Sequence, residues 1–258
     1  MKKLAIALTA IAAFTAPAFA ADLAPRAPIY QPPAPVYNWT GFWISGGGGG
    51  GLWNADSNVV SFPGSFPFSR DQRVGGSGWF GTVGAGFDWQ LAGPWVFGIF
   101  GDGQFGELRG SLTDTFEFLE GREKLRTSYA AGVRLGYLIA PNVNSYVNVG
   151  YSGSQWSGVS LSTLLPGGGA VVAATPSFTR NGWFVGGGFE NSLNYFGISA
   201  PGWFMKTEYR SAFYDRITLP ETFVGGGLPD AAVTFKPWVQ TISTSLVYRF
   251  NWGAPARY

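Results

Sequence analysis

Eight segments of about ten residues, each alternating an apolar with a small or polar side chain, follow one another along this chain, and the connections between them are short and long in strict turn. Alternation with a period of two is the pattern of a β-strand with different surroundings on its two faces. The expected strands are Asn38 to Gly50, Gly78 to Gln90, Trp95 to Gly106, Leu125 to Leu138, Asn144 to Ser154, Thr179 to Asn191, Trp203 to Ala212 and Val239 to Phe250. The short connections are Leu91 to Pro94, Ile139 to Val143 and Ser192 to Gly202. The long ones are Gly51 to Ser77, Glu107 to Lys124, Gln155 to Phe178 and Phe213 to Trp238. A membrane barrel with tight periplasmic turns and extended outer loops produces this rhythm, and a soluble sandwich has no reason to keep it.

Composition points the same way. Charged residues are 12% of the chain, aromatics 17%, and there are 39 glycines, a poor recipe for a water-facing surface. Beyond the N-terminal segment no apolar run is long enough for a membrane helix, and in lipid only helices and closed barrels satisfy every backbone group. The expected fold is therefore all-β, an eight-stranded antiparallel transmembrane β-barrel with short periplasmic turns and long extracellular loops, in the outer membrane. Lys2 and Lys3, the apolar stretch Leu4 to Phe14 and the small residues of Ala18-Phe19-Ala20 read as an export signal over 1–20, removed after Ala20. Pro25, Pro28, Pro32, Pro33 and Pro35 mark 21–37 as an extended periplasmic linker. The barrel occupies 38–250, and 251–258 is a short periplasmic tail.

The alternation also assigns faces. Aromatic and aliphatic residues point to lipid, with Trp89, Trp95, Tyr137, Trp203, Tyr248 and Phe250 forming a girdle beside the short turns. The inward set contains four acids, Asp88, Asp102, Glu190 and Glu208, and four bases, Arg134, Lys206, Arg210 and Arg249. In so narrow a barrel these charges are expected to pair across the lumen and fill it, since an unpaired buried charge is costly and eight strands leave room only for side chains. The alternative is a small porin-like diffusion channel for ions or small solutes, with the inward glycines Gly84, Gly86, Gly132, Gly136, Gly186 and Gly188 leaving a water path.

Most chemistry is disfavoured. The chain has no histidine and no cysteine, so the usual general base, thiolate nucleophile and soft metal ligands are missing. The run Gly46 to Gly51 has glycines at phosphate-loop spacing, but no Lys-Ser or Lys-Thr follows and no helix begins there. Without Lys2 and Lys3 the acidic and basic residues balance, so there is no basic field for nucleic acid. No enzyme activity, cofactor or metal is expected.

The opening Ala21-Asp22-Leu23, the stretch Pro35-Val36-Tyr37, the first strand Asn38-Trp39-Thr40-Gly41-Phe42-Trp43 and the ending Tyr248-Arg249-Phe250-Asn251-Trp252-Gly253 resemble the small alphaproteobacterial outer-membrane β-barrel surface antigens, with an OmpA-like or OmpX-like barrel. Trp95-Val96-Phe97-Gly98, Arg134-Leu135-Gly136-Tyr137 and Glu208-Tyr209-Arg210 match as well, whereas Phe100 stands where the family usually has an inward Glu. The resemblance implies an abundant envelope protein; some members are described as porin-like or haem-binding, and a haem role here would need tyrosine ligands. It also implies that Ser243, Tyr248 and Phe250 carry the signal read by the barrel assembly machinery, with Tyr258 as a second candidate terminal aromatic. The expected partners are outer-membrane lipid, lipopolysaccharide and that machinery, and the expected state is a monomer. The expected function is a structural surface protein of the envelope, closed by its lumen charges.

Overall fold

A computed structural model of the chain describes residues 38–91, 93–114, 118–163, 169–226 and 229–250. The expected signal segment 1–20, linker 21–37 and tail 251–258 lie outside the described residues.

The described residues form twelve strands: β1 (Gly41–Ser61), β2 (Gln72–Gln90), β3 (Trp95–Asp114), β4 (Leu119–Ala140), β5 (Val143–Trp156), β6 (Val159–Thr163), β7 (Val171–Thr175), β8 (Phe178–Ser192), β9 (Trp203–Tyr214), β10 (Ile217–Pro220), β11 (Thr222–Phe223) and β12 (Ala231–Arg249). Eight of them pair in the order β4-β3-β2-β1-β12-β9-β8-β5, and β5 pairs back onto β4, so the sheet closes into a ring. All these pairings are antiparallel. The eight ring strands contain the eight expected segments, except that β1 begins at Gly41 rather than Asn38 and β12 ends at Arg249 rather than Phe250.

The register fixes the stagger. Stepping between directly paired residues from Trp43 leads through Gly86, Phe100, Gly132, Gly150, Phe184, Ala212 and Val239 and returns to β1 at Trp53, ten residues further along. Such an offset is what tilts the strands of a closed sheet. Every residue on this path faces inward, and its large side chains Trp43, Phe100 and Phe184 are each flanked by glycine or alanine on the neighbouring strands that follow them. Phe100 stands between Gly86 and Gly132, and Tyr146 stands between Gly136 and Gly188. A Cβ on Gly86 would lie 2.5 Å from the Trp43 ring, and one on Gly132 would lie 3.0 Å from the Phe184 ring. The inward glycines thus make room for their neighbours' bulk rather than for an axial path.

The strands are longer than expected toward one end. β1 continues past Gly50 to Ser61, β2 begins at Gln72, β3 reaches Asp114, β4 begins at Leu119 and β12 begins at Ala231. The expected long connections are therefore largely sheet. The first shrinks to 62–71 and the second to 115–118, the third carries the β6–β7 hairpin, and the fourth carries β10 and β11. The reason lies in the extension residues: Trp53, Ala55, Ser57 and Val59 keep the alternation and are buried, as are Leu108 and Leu112. The opposite end keeps tight turns, with Gly93 and Gly197 at positive φ where a side chain would be strained.

Two rows of aromatic residues ring the outside. On four strands the members are ten residues apart: Trp79 and Trp89, Trp95 and Phe105, Trp203 and Phe213, Trp238 and Tyr248. The lower row holds the expected girdle, with Trp95 against Tyr137 and Trp203 against Tyr248, both at 5.1 Å between centroids. The upper row was not expected; in it Phe213 stacks between Trp183 at 4.6 Å and Trp238 at 5.8 Å. Between the rows Val83, Ile99, Val133, Leu135, Val147, Val149, Val185, Ile242 and Leu246 face outward and exposed.

Candidate functional site: a layered lumen

The lumen between the rows is built from the inward positions of the eight ring strands. All eight charged residues expected there are buried inside the ring: Asp88, Asp102, Arg134, Glu190, Lys206, Glu208, Arg210 and Arg249. They form two groups. In the first, Arg134 donates through Nε to Asp88 at 2.8 Å and through Nη1 to Glu190 at 3.1 Å. Arg249 donates to the same two acids, through Nε to Glu190 at 2.7 Å and through Nη2 to Asp88 at 2.7 Å. Its Nη1 also reaches the Trp39 carbonyl at 3.2 Å. Two guanidinium forks and two carboxylates thus close a cyclic quartet of opposite charges, the planar geometry for which arginine is suited.

In the second group Arg210 forks onto Asp102 at 2.8 and 2.6 Å and onto Glu208 at 2.7 Å, and the Tyr146 hydroxyl donates to Glu208 at 2.9 Å. Lys206 forms no ion pair among the described residues; its ammonium sits 5.1 Å from the Trp43 ring centre. Aromatic faces cover the other cations. Arg134 lies 4.6 Å from Trp43, Arg249 lies 4.6 Å from Trp39, and Arg210 lies 4.6 Å from Phe184. Among these eight residues acids and bases are equal in number, so the two groups together carry no net formal charge.

Sequence reasoning missed these aromatics. Their signal was present in part, since Phe100 and Phe184 share the parity of the inward Asp102 and Glu190 on their own strands and Tyr146 shares that of the inward Asn148 on its own. Phe100 does point inward, buried and 5.9 Å from the Arg210 guanidinium. Where the resembled family usually has a carboxylate, the third strand contributes an aromatic lid on a cation.

Toward the long-loop end the lumen changes character. Trp53, Trp156, Phe178 and Phe235 contact one another at centroid separations of 5.2 to 5.9 Å. The buried Leu108, Leu112, Leu119, Leu125 and Leu161 belong to the same core. The Trp53 indole donates to the Leu108 carbonyl at 3.0 Å, which satisfies its only polar atom. Beyond the upper aromatic row the inward Glu123 is fully buried. One of its oxygens accepts from the Lys124 amide at 3.1 Å, the other has no partner among the described residues, and burial pushes the carboxyl up to about 8.

The residues expected to signal assembly sit at the end of β12. Ser243 faces the lumen half-buried, whereas Tyr248 and Phe250 face outward, where Phe250 packs 5.0 Å from Tyr248 and 5.5 Å from Phe42. Among the described residues no cluster of three or more acidic residues is placed to hold a metal ion.

Residues 6–250 match the outer membrane protein β-barrel domain family. The 31 kDa outer-membrane immunogenic protein of Brucella melitensis is 28% identical over 258 residues, covering 95% of this chain and 99% of that protein. The protein of the same description from Brucella suis matches equally. Among solved structures, the outer membrane protein OprG of Pseudomonas aeruginosa covers 82% of this chain and 98% of its own at 11% identity, with a TM-score of 0.47. Neisserial surface protein A covers 82% and 98% at 13% identity, with a TM-score of 0.39.

Proposed function

The chain belongs to the outer membrane protein β-barrel domain family, among the outer-membrane barrel antigens of alphaproteobacteria, and from that premise we propose that it is an eight-stranded transmembrane barrel with a closed lumen, serving as a structural surface protein of the envelope. The aromatic rows support the transmembrane reading. Ten residues at about 3.3 Å each, tilted by about 40°, span roughly 25 Å, the height of the outward apolar band of such barrels. Short turns then lie in the periplasm, and the long extensions stand in the medium.

The observation that carries the closed reading is the cyclic quartet of Asp88, Arg134, Glu190 and Arg249, capped on the long-loop side by Trp53, Trp156 and Phe235. A diffusion path would have to separate paired buried charges and then pass an apolar layer. The inward glycines that suggested a pore stand beside the large side chains that occupy the lumen. The test is reconstitution of the folded protein in a planar bilayer. Electrical silence at a protein density that gives steps for a known porin is the expected result, and reproducible single-channel steps would replace this reading with that of a small porin-like pore.

A further inference from the structure

Strand β4 carries an irregularity with a chemical consequence. Against β5, Thr127 pairs with Gln155 and Leu125 with Trp156, so Arg126 is an extra, unpaired residue. Against β3, the register shifts at the same place, between Phe105 and Leu108. Bulges re-aim the side chains that follow them. Below this one the inward residues of β4 are even-numbered, Ser128, Ala130, Gly132 and Arg134; above it they are Leu125 and Glu123, both buried. An uninterrupted strand would carry Arg126, Lys124 and Arg122 inward and leave Leu125 outside. The bulge instead leaves Arg126 and Arg122 exposed and Lys124 half-exposed on the outer face.

These residues begin one position beyond Thr127, the cross-strand partner of Phe105 in the upper aromatic row. Arg109, paired with Lys124 across the β3–β4 ladder, adds a fourth cation. Glu107 pairs with Arg109 at 2.6 Å and with Lys124 at 3.9 Å, which leaves Arg122 and Arg126 outside any ion pair among the described residues. Arg126 also borders an open groove of about 770 Å³, in which Thr127, Gln155, Ser157, Ser177 and Thr179 present hydroxyl and amide groups beside Trp156 and Phe178.

We propose that this face binds the phosphorylated saccharide headgroup of an outer-leaflet glycolipid. The proposal rests on the transmembrane reading above, which puts the upper aromatic row at the outer interface and therefore this patch at headgroup depth. The guanidinium forks suit phosphate, the hydroxyl-lined groove suits sugar, and the apolar band directly below suits acyl chains.

The test uses the full chain folded in zwitterionic micelles and titrated with diphosphorylated lipid A, the same lipid dephosphorylated, and inorganic phosphate. Binding is read from lipid retained per protein by native mass spectrometry. The variant Arg122→Gln/Lys124→Gln/Arg126→Gln is expected to retain lipid A at least tenfold more weakly than the parent while keeping its heat-modifiable gel mobility. Arg70→Gln/Arg73→Gln, exposed cations elsewhere, should bind as the parent does. Equal retention by the triple variant, or equal binding of the dephosphorylated lipid, would overturn the proposal. Displacement of lipid A by millimolar inorganic phosphate would overturn it in favour of a free-phosphate site. Thiol labelling of Phe66→Cys on intact cells separates the premise from the proposal. Without surface labelling, the transmembrane reading and this site fail together; with it, a normal triple variant removes this site alone.

Discussion

Asp88 and Arg134 stand on strands that are not paired with each other, and they meet over Gly98 of the strand between them. Asp88 of β2 is paired in register with Gly98, and Gly98 with Arg134 of β4. A Cβ on Gly98 would collide with the Asp88 carboxylate and come within 3.0 Å of the Arg134 side chain. The ion pair therefore depends on a missing atom as much as on its charges.

Removing one partner should expose that dependence. Asp88→Ala leaves Arg134 and Arg249 sharing Glu190 alone, and breaking a buried pair in this way costs about 3–5 kcal/mol. Gly98→Ala keeps every charge and should still lower stability by about 1–3 kcal/mol, because the carboxylate must move off the guanidinium. Both should lower the temperature at which the folded gel band converts to the unfolded one. A Gly98→Ala protein that converts with the parent would mean that the pair does not need the space.

The large and small residues along the ring path should behave as one unit. Gly86→Val pushes into the Trp43 ring and should destabilise by about 1–3 kcal/mol. Adding Trp43→Ala should recover part of that loss, so that the double variant is less damaged than the sum of the singles. Strict additivity in the same gel assay would show that Gly86 and Trp43 do not share space.

The strand sequence, the direction of each side chain and the inward charges were legible because they follow from a period of two, which survives any local change of twist. The reach of the strands was not. Residues 51–61 alternate as well as 41–50 do, but a segment length taken from membrane thickness stopped the reading at the glycine run. The parity of β4 was legible only as far as Thr127. One extra residue at Arg126 inverts every assignment beyond it, and a bulge leaves no mark in composition. Which carboxylate meets which guanidinium depended on glycines such as Gly98 on intervening strands, information that lies in the register.

Glu123 should give the long-loop half of the ring a pH dependence. Its carboxyl ordinarily ionises near 4.5 and is pushed to about 8 by burial. The folded state thus favours the protonated form: the stabilising contribution is complete below about 4.5, is lost progressively as pH rises, and is gone above about 8. At neutral pH the loss amounts to about 3 kcal/mol. Glu123→Gln, which cannot ionise, should flatten the change in unfolding temperature between pH 5 and 8 and should be the more stable protein at pH 8. An unchanged pH profile would show that the carboxyl reaches solvent.

The proposed orientation, with the short turns in the periplasm, can be measured through two exposed aromatics at opposite ends. Phe66, in the connection after β1, is 74% exposed, and Tyr195, in the 3-10 turn between β8 and β9, is 66% exposed. The native chain has no cysteine, so Phe66→Cys and Tyr195→Cys each carry a single thiol on a clean background. A bulky, membrane-impermeant maleimide added to intact cells should label the first and spare the second. Permeabilising the outer membrane should expose both. Labelling of Tyr195→Cys on intact cells would reverse the orientation, and with it the assignment of the basic face of β4 to the outer leaflet.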